Sequence, residues 1–375
     1  MTGSTSGKGR TAGASARRLV GVAAALLLAA CGGRDARSSA DSGAAAPETA
    51  HAVAPRGAGE LAYVTSEEGR TLTVIQTSND SVVATIEVGT RPRGVRVAPD
   101  GRTVYVALSG SPRCPPTMPD EECGKLKSDK TKDGIAEVDA TTGKVVRVLP
   151  GGSDPEQFDI SPDGKRLYIS NEDAGVATVV DLGTGRIVSQ AKVGGEPEGV
   201  RVSPDGNTVY VTSESDHAVV ALDAATGQVK GRTTVDSRPR DLAFSPDGRR
   251  LYASAEVGGN VSVIDATNGK ELTRIAMPKG SKPMGLAVSP NGERLYVATG
   301  RGGLVVAVDT RSNQVVDSVK VGARPWGIAL TGDGRKLYVA NGPSNDVSVV
   351  GTDPLRVIAT IEAGALPWGV AIGKR

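Results

Sequence analysis

Seven short loops of this 375-residue chain carry a proline flanked by residues able to bind or react. They read Arg91-Pro92-Arg93, Asp154-Pro155-Glu156, Glu196-Pro197-Glu198, Arg238-Pro239-Arg240, Lys282-Pro283-Met284, Arg324-Pro325-Trp326 and Leu366-Pro367-Trp368. Both tryptophans of the protein follow such a proline. Two indoles brought together make a stacking wall, and arginine presents a planar fork of donors to a carboxylate or phosphate. If the loops converge, Arg91, Arg93, Asp154, Glu156, Glu196, Glu198, Arg238, Arg240, Met284, Arg324, Trp326 and Trp368 form a site for a small ligand or a protein partner. A purely structural arrangement of the same residues stands beside that one. Arg93, Glu156, Glu198 and Arg240 would neutralise one another, and the indoles would only fill space.

Other chemistries fit less well. Asp154, Glu156, Glu196 and Glu198 supply the hard oxygen donors of a Ca²⁺ site, but the flanking arginines compete for them. Hydrolysis needs a base and an electrophilic helper, for which Glu156 or Glu198 with Arg93 or Arg240 are at hand. Glutamates beside arginine are expected to stay ionised and to be weak bases at neutral pH. His217 is the one histidine within the repeats and reads as a solvated loop residue. No CxxCH haem-attachment sequence is present, and no cofactor is called for. Tryptophan plus arginine can hold single-stranded nucleic acid. Charge argues against it: beyond residues 1–30 the chain has 40 basic against 42 acidic residues.

The elements that must place these loops are repeats. Each of the seven tyrosines, Tyr63, Tyr105, Tyr168, Tyr210, Tyr252, Tyr296 and Tyr338, opens one unit, at spacings of 42, 63, 42, 42, 44 and 42 residues. One insertion of 21 residues accounts for the long spacing. A period near 40–45 residues with four short strand signals per unit predicts an all-β, seven-bladed propeller of four-stranded antiparallel blades over 59–375. Segments such as Leu337-Tyr338-Val339-Ala340 are apolar on both faces, as a sheet packed between two others requires. Thr267-Asn268-Gly269 predicts a tight hairpin, its Asn-Gly pair tolerating positive backbone angles, and Ser-Pro-Asp-Gly returns the chain to the next tyrosine strand. Proline suits the first residue of an inner strand, where its missing N–H is not needed. The chain starts on a tyrosine strand and ends on an inner one, so its two ends must pair to close the ring and remove two open edges. In that frame the seven residues after the prolines line one mouth of the central channel.

The insertion, 109–134, lies between the second and third strands of its blade and on the same face. It holds Cys114 and Cys123, expected to form a disulfide worth about 2–3 kcal/mol and to staple a lid or docking finger. Two thiols with no neighbouring histidine do not suggest zinc, and Lys125, Lys127, Lys130 and Lys132 read as a solvated face. Residues 32–58 are rich in Gly, Ala, Ser and Pro and read as a flexible tether with a reach of roughly 30 Å; His51 lies in it. Arg17-Arg18, the run LVGVAAALLLAA and then Cys31 read as an export signal (1–30) too short to remain as a membrane span.

Two resemblances add to this reading. Leu28-Ala29-Ala30-Cys31-Gly32 resembles the lipobox of bacterial lipoproteins, which implies lipidation of Cys31 and anchoring at the periplasmic or cell-surface side of a membrane. An ordinary signal with a chance cysteine is the plainer alternative. Residues 61–375 resemble the YVTN-repeat, WD40-like propellers, most clearly in LYVAN at 337–341 and VSVID at 261–265. SAEVGGNVSVID at 254–265 and NGPSNDVSVV at 341–350 are similar to the propellers associated with PQQ-dependent catabolism. That resemblance implies an exported, non-catalytic binding or scaffold protein, a monomer beside periplasmic quinoprotein alcohol oxidation or transport. The lipobox and the insertion depart from that family's pattern. Seven-bladed lactonases share the architecture, so a lactonase-like hydrolase is the alternative class. The haem d1 propellers are similar in build, but one histidine leaves little to ligate haem.

Overall fold

Seven four-stranded antiparallel sheets stand around an axis in the computed structural model, which describes residues 59–113, 118–123 and 125–374. The signal, the tether, Cys31, His51, Cys114 and the side chain of Cys123 lie outside the described residues, and the lipidation and disulfide expectations with them. Blades are numbered here from the N-terminus. In blade 1 the strands Glu60–Ser66, Thr71–Gln76 and Ser81–Glu87 are joined by the last strand of the chain, Pro367–Lys374. That strand runs antiparallel to the first, Tyr63 facing Ala371, so the two ends close the ring as the frame requires. Blades 2 to 7 follow with innermost strands Pro92–Val97, Pro155–Ile160, Pro197–Val202, Pro239–Phe244, Leu286–Val288 and Pro325–Leu330.

The core lies between blades rather than within one. Leu61, Tyr63 and Val74 of blade 1 pack with Val95, Val104 and Val106 of blade 2, all essentially without solvent contact. β-Branched and leucine side chains suit this stacking because both faces of each second and third strand are covered. The tyrosines add specificity: Tyr168 donates to the carbonyl of Ala224 at 2.8 Å, and Tyr210 to that of Ala266 at 2.7 Å. Outer strands are the wet edge; in Lys144–Leu149 all but the last residue are exposed.

The turns follow their residue chemistry with one adjustment. In the Ser-Pro-Asp-Gly returns, Ser161 donates to Asp163 at 2.6 Å, Gly164 takes φ +70°, and the amide of Arg166 donates back to Ser161 Oγ at 2.9 Å. In the Thr267-Asn268-Gly269 hairpin only Gly269 has positive φ (+73°). The register shifts between Val263 and Ile264, so a bulge absorbs the turn instead of a second left-handed residue. Asp265 caps it, accepting from the Thr267 amide at 2.9 Å.

Blade 6 departs from the repeat. Its innermost strand begins at Leu286, three residues after Pro283, and Lys282 is the one pre-proline residue of the seven without a left-handed backbone. The Lys282 amide instead donates to the carbonyl of Thr299 at 2.9 Å.

Candidate functional site

At the mouth, each proline loop is bent by the residue before the proline. Arg91, Asp154, Glu196, Arg238, Arg324 and Leu366 have φ between +46° and +63°, a conformation that costs a non-glycine residue about 1 kcal/mol. The bend aims a carbonyl at a neighbouring chain. Asp154, Glu196, Arg238 and Leu366 accept, through their carbonyls, the amides of Glu172, Glu214, Glu256 and Glu67. These four glutamates form a second ring, each four residues beyond a repeat tyrosine. Ser109, Gly300 and Gly342 complete it.

The two rings interlock. Arg93 is buried and holds Asp154 at 2.8 Å, Glu156 in contact and Glu172 at 3.4 Å. Arg91 holds Glu67 at 2.6 Å. On the next two blades Arg240 contacts Glu198 and Glu214 and lies 3.6 Å from Glu256, while Arg238 contacts Glu214 and lies 3.5 Å from Glu256. The neutralising pairs Arg93–Glu156 and Arg240–Glu198 are thus present and link neighbouring blades. They sit on one side of the mouth only. On the other, Met284, Trp326, Leu366 and Trp368 form a buried apolar cluster, with indole centroids 6.4 Å apart and planes tilted by 49°. Second-ring glycines make room there: a Cβ on Gly342 would lie 2.8 Å from the Trp326 ring, and one on Gly300 would lie 3.0 Å from Met284 Cγ.

Carboxylates outnumber arginines in both clusters. Arg238 and Arg240 face three buried ones, and Arg91 and Arg93 face three buried ones and the partly exposed Glu172. Two guanidinium groups cannot keep every neighbouring carboxylate ionised out of water. Burial pushes the Glu198 carboxyl well above the ordinary glutamate range despite Arg240, with Glu214 and Glu172 adding repulsion. Burial also raises Glu172, against the pull of Arg93. Asp154 goes the other way: burial opposes ionisation, but Arg93 and the Ser109 hydroxyl outweigh it and hold the carboxyl low. The expectation that glutamates beside arginine stay ionised meets an opposing influence at Glu198, where burial outweighs Arg240 and raises the carboxyl.

The rings enclose a chamber of about 530 Å³. Arg91, Arg93, Asp154, Glu156, Glu198, Arg238, Arg240, Arg324, Trp326 and Trp368 all line it, and Met284 packs behind the indoles. Glu196 does not. It is exposed on the outer side of its loop and accepts from Ser215 Oγ at 2.7 Å, although its backbone is left-handed like those of Arg91, Asp154 and Arg238. The four-acid cation cluster is correspondingly not assembled: Asp154 and Glu156 turn to Arg93 and Glu198 to Arg240. Among the described residues no His, Cys, Asp and Glu group is placed to hold a metal ion. His217 lies on the mouth-side turn of blade 4, where its ring nitrogen accepts from the Arg238 amide at 3.4 Å. The insertion reaches the mouth as expected, with Ser111, Arg113, Leu126 and Ser128 on the chamber wall. Ion pairs fasten it on both sides, Arg113 to Glu68 of blade 1 at 2.6 Å and Lys130 to Asp173 of blade 3.

Comparison with known proteins agrees with this architecture. The family described as outer membrane protein assembly factor BamB matches residues 172–327, and the YNCE-like β-propeller family matches residues 120–206. The chain is a seven-bladed β-propeller that is similar, over part of its length, to these YVTN/PQQ-like propeller families. Antigen Lp49 of Leptospira interrogans is 32% identical over 90 residues, 24% of this chain and 18% of that protein, so the match spans under a fifth of the relative's length. The periplasmic gluconolactonase of Pseudomonas aeruginosa superposes with a TM-score of 0.69 at 22% identity, covering 84% of this chain and 99% of that one. Hydrazine synthase of Kuenenia stuttgartiensis gives 0.65 at 22% identity over 77% and 91%. A protein of unknown function from Desulfotomaculum acetoxidans gives 0.67 at 18% identity over 84% and 99%. At these identities the likeness is one of fold.

In this propeller the second ring is what sequence reasoning missed. Its signal was within reach: the residue four beyond each tyrosine is Glu in four units and Gly in two. A register count from the tyrosine, rather than from the proline, isolates it. No helix among the described residues is long and apolar enough to cross a membrane.

Proposed function

We propose that this propeller binds a small organic ligand in the proline-loop mouth and acts as an exported, membrane-anchored binding component rather than as a catalyst. The observation that carries the reading is the division of one chamber into an indole wall and a ring of buried ion pairs. A plug alone would need no such asymmetry, whereas small-molecule sites combine an apolar wall with a few fixed polar groups. Anchoring through Cys31 rests on the lipobox. A place beside periplasmic quinoprotein-dependent alcohol oxidation or transport rests on the family resemblance of 254–265 and 341–350. Because both tryptophans line the chamber, tryptophan fluorescence excited apart from the seven tyrosines reports on this site. Titration with quinones, sugars and alcohol-derived acids is expected to give a saturable change with at least one class; a flat response to all of them would return the mouth to a structural role.

A hydrolase of lactones is the second reading, and one observation favours it. Glu172 is partly exposed at the chamber edge, its carboxyl is raised by burial, and Arg93 lies 3.4 Å away. A carboxylate whose pKa moves towards neutrality is a better general base for water. The likeness in fold to a periplasmic gluconolactonase makes gluconolactone the first substrate to try. Hydrolysis above the spontaneous rate that disappears in Glu172→Gln would establish the enzyme; a rate no greater than that of buffer would remove it.

A further inference from the structure

The mouth arginines are not equivalent. Arg91, Arg93, Arg238 and Arg240 each hold at least one carboxylate within 4 Å. Arg324, which precedes its proline in blade 7 as Arg91 and Arg238 do in their blades, has no carboxylate within ion-pair distance among the described residues. Its guanidinium lies over the Trp326 ring, 5.0 Å from the centroid, and lines the chamber beside Trp368. Of the charges that act on it most, Glu256 attracts it and Arg301, Arg240 and Arg113 repel it. Burial and this repulsion together lower its pKa. An arginine held half-buried among like charges gains from a counter-ion, and the neighbouring indoles offer a flat apolar surface to whatever carries that charge.

We infer that the ligand of the mouth is an organic anion, a carboxylate or phosphate on a flat ring body, with its charge on Arg324 and its ring against Trp326 and Trp368. This rests on the reading of the mouth as a ligand site and specifies its chemistry. The acidic side of the chamber does not oppose it. There each carboxylate of the wall is already met by a cation, Asp173 by Lys130 and the others by arginine. The repelling positive charges around Arg324 come from Arg301, Arg240 and, in the insertion, Arg113. Arg324 acts as a fork, so the anion is met by two parallel donors in the plane of its oxygens.

The test uses the full chain and three probes of one shape: benzoate, phenyl phosphate and neutral benzamide, followed by tryptophan fluorescence and by calorimetry. Binding of benzoate or phenyl phosphate at least tenfold tighter than benzamide is expected, weakening as salt is raised. Whichever of the two anions binds more tightly assigns the head group. In Arg324→Gln, which removes the charge and the guanidinium fork but keeps a polar side chain on the same backbone, the anion advantage should fall to within twofold while benzamide binding is unchanged. Arg113→Gln should reduce it only about two- to threefold, since Arg113 already holds Glu68. Equal binding of benzamide and the anions by the native protein would overturn the anion assignment while leaving the ligand site standing. So would an undiminished preference in a folded Arg324→Gln. Binding of none of the three probes, by either readout, would remove both.

Discussion

Glu198 shows how a buried group can touch an arginine and still be disfavoured as an anion. It meets Arg240, yet that arginine also serves Glu214 and lies near Glu256, and burial, the largest influence, raises its carboxyl well above the ordinary glutamate range. The sign of the pH effect follows. A carboxyl whose pKa is raised in the folded state makes the native protein bind more protons than the unfolded chain above the ordinary glutamate pKa. Stability is therefore lost as pH rises from that value towards the folded pKa, at about 1.4 kcal/mol per pH unit over which the proton is retained. Glu198→Gln copies the protonated acid and should remove that slope. Its melting temperature is expected to match the native protein near pH 5 and to exceed it at pH 8. A loss of several degrees at both pH values would mean that Glu198 is an ionised partner of Arg240.

The strand ends, not the strands, decide what the mouth can hold. Second-ring glutamate serves the charged side, and second-ring glycine leaves space under Trp326 and Met284. Gly342→Ala would put a methyl group 2.8 Å from the Trp326 ring and force the indole to move. Overpacking of this kind costs about 1–3 kcal/mol, and the emission spectrum should shift because one of only two tryptophans is displaced. An unchanged spectrum and melt would show that the glycine has no packing role. This layer was the least legible part of the sequence. The tyrosine period and the proline loops announce themselves by composition, so seven blades, the closing strand and the post-proline ring could be read directly. Glu172 and Gly342 lie in unremarkable turns, and only three-dimensional register pairs them with Arg93 and Trp326. The outward turn of Glu196 was hidden for a different reason: its backbone is left-handed like those of Arg91, Asp154 and Arg238, and only its hydrogen bond with Ser215 sets it apart. The shortened inner strand of blade 6 is marked in the sequence only by the spacing of 44 residues from Tyr252 to Tyr296, against the usual 42.

At the scale of the whole molecule, stability depends on one pairing. Pro367–Lys374 supplies the innermost strand of blade 1 and also packs against the inner strands of blades 2 and 7, where Thr65 Oγ1 accepts from the Gly369 amide at 2.8 Å and donates to the Arg93 carbonyl at 2.7 Å. Truncation after residue 365 should abolish the cooperative melt or lower its midpoint by more than 10 °C, since every blade loses the constraint of a closed ring. A midpoint within a degree or two of the native value would disprove closure by the termini. The same junction sets an order of events. During synthesis Glu60–Ser66 pairs early with Thr71–Gln76 but waits for nearly the whole remaining chain before its second neighbour exists. Until then its other edge faces water, open to the terminal strand of another copy. The nascent chain thus profits from being kept unfolded until it is complete, as passage through a secretion channel would keep it, and a stalled or clipped product is the species most prone to join its neighbours.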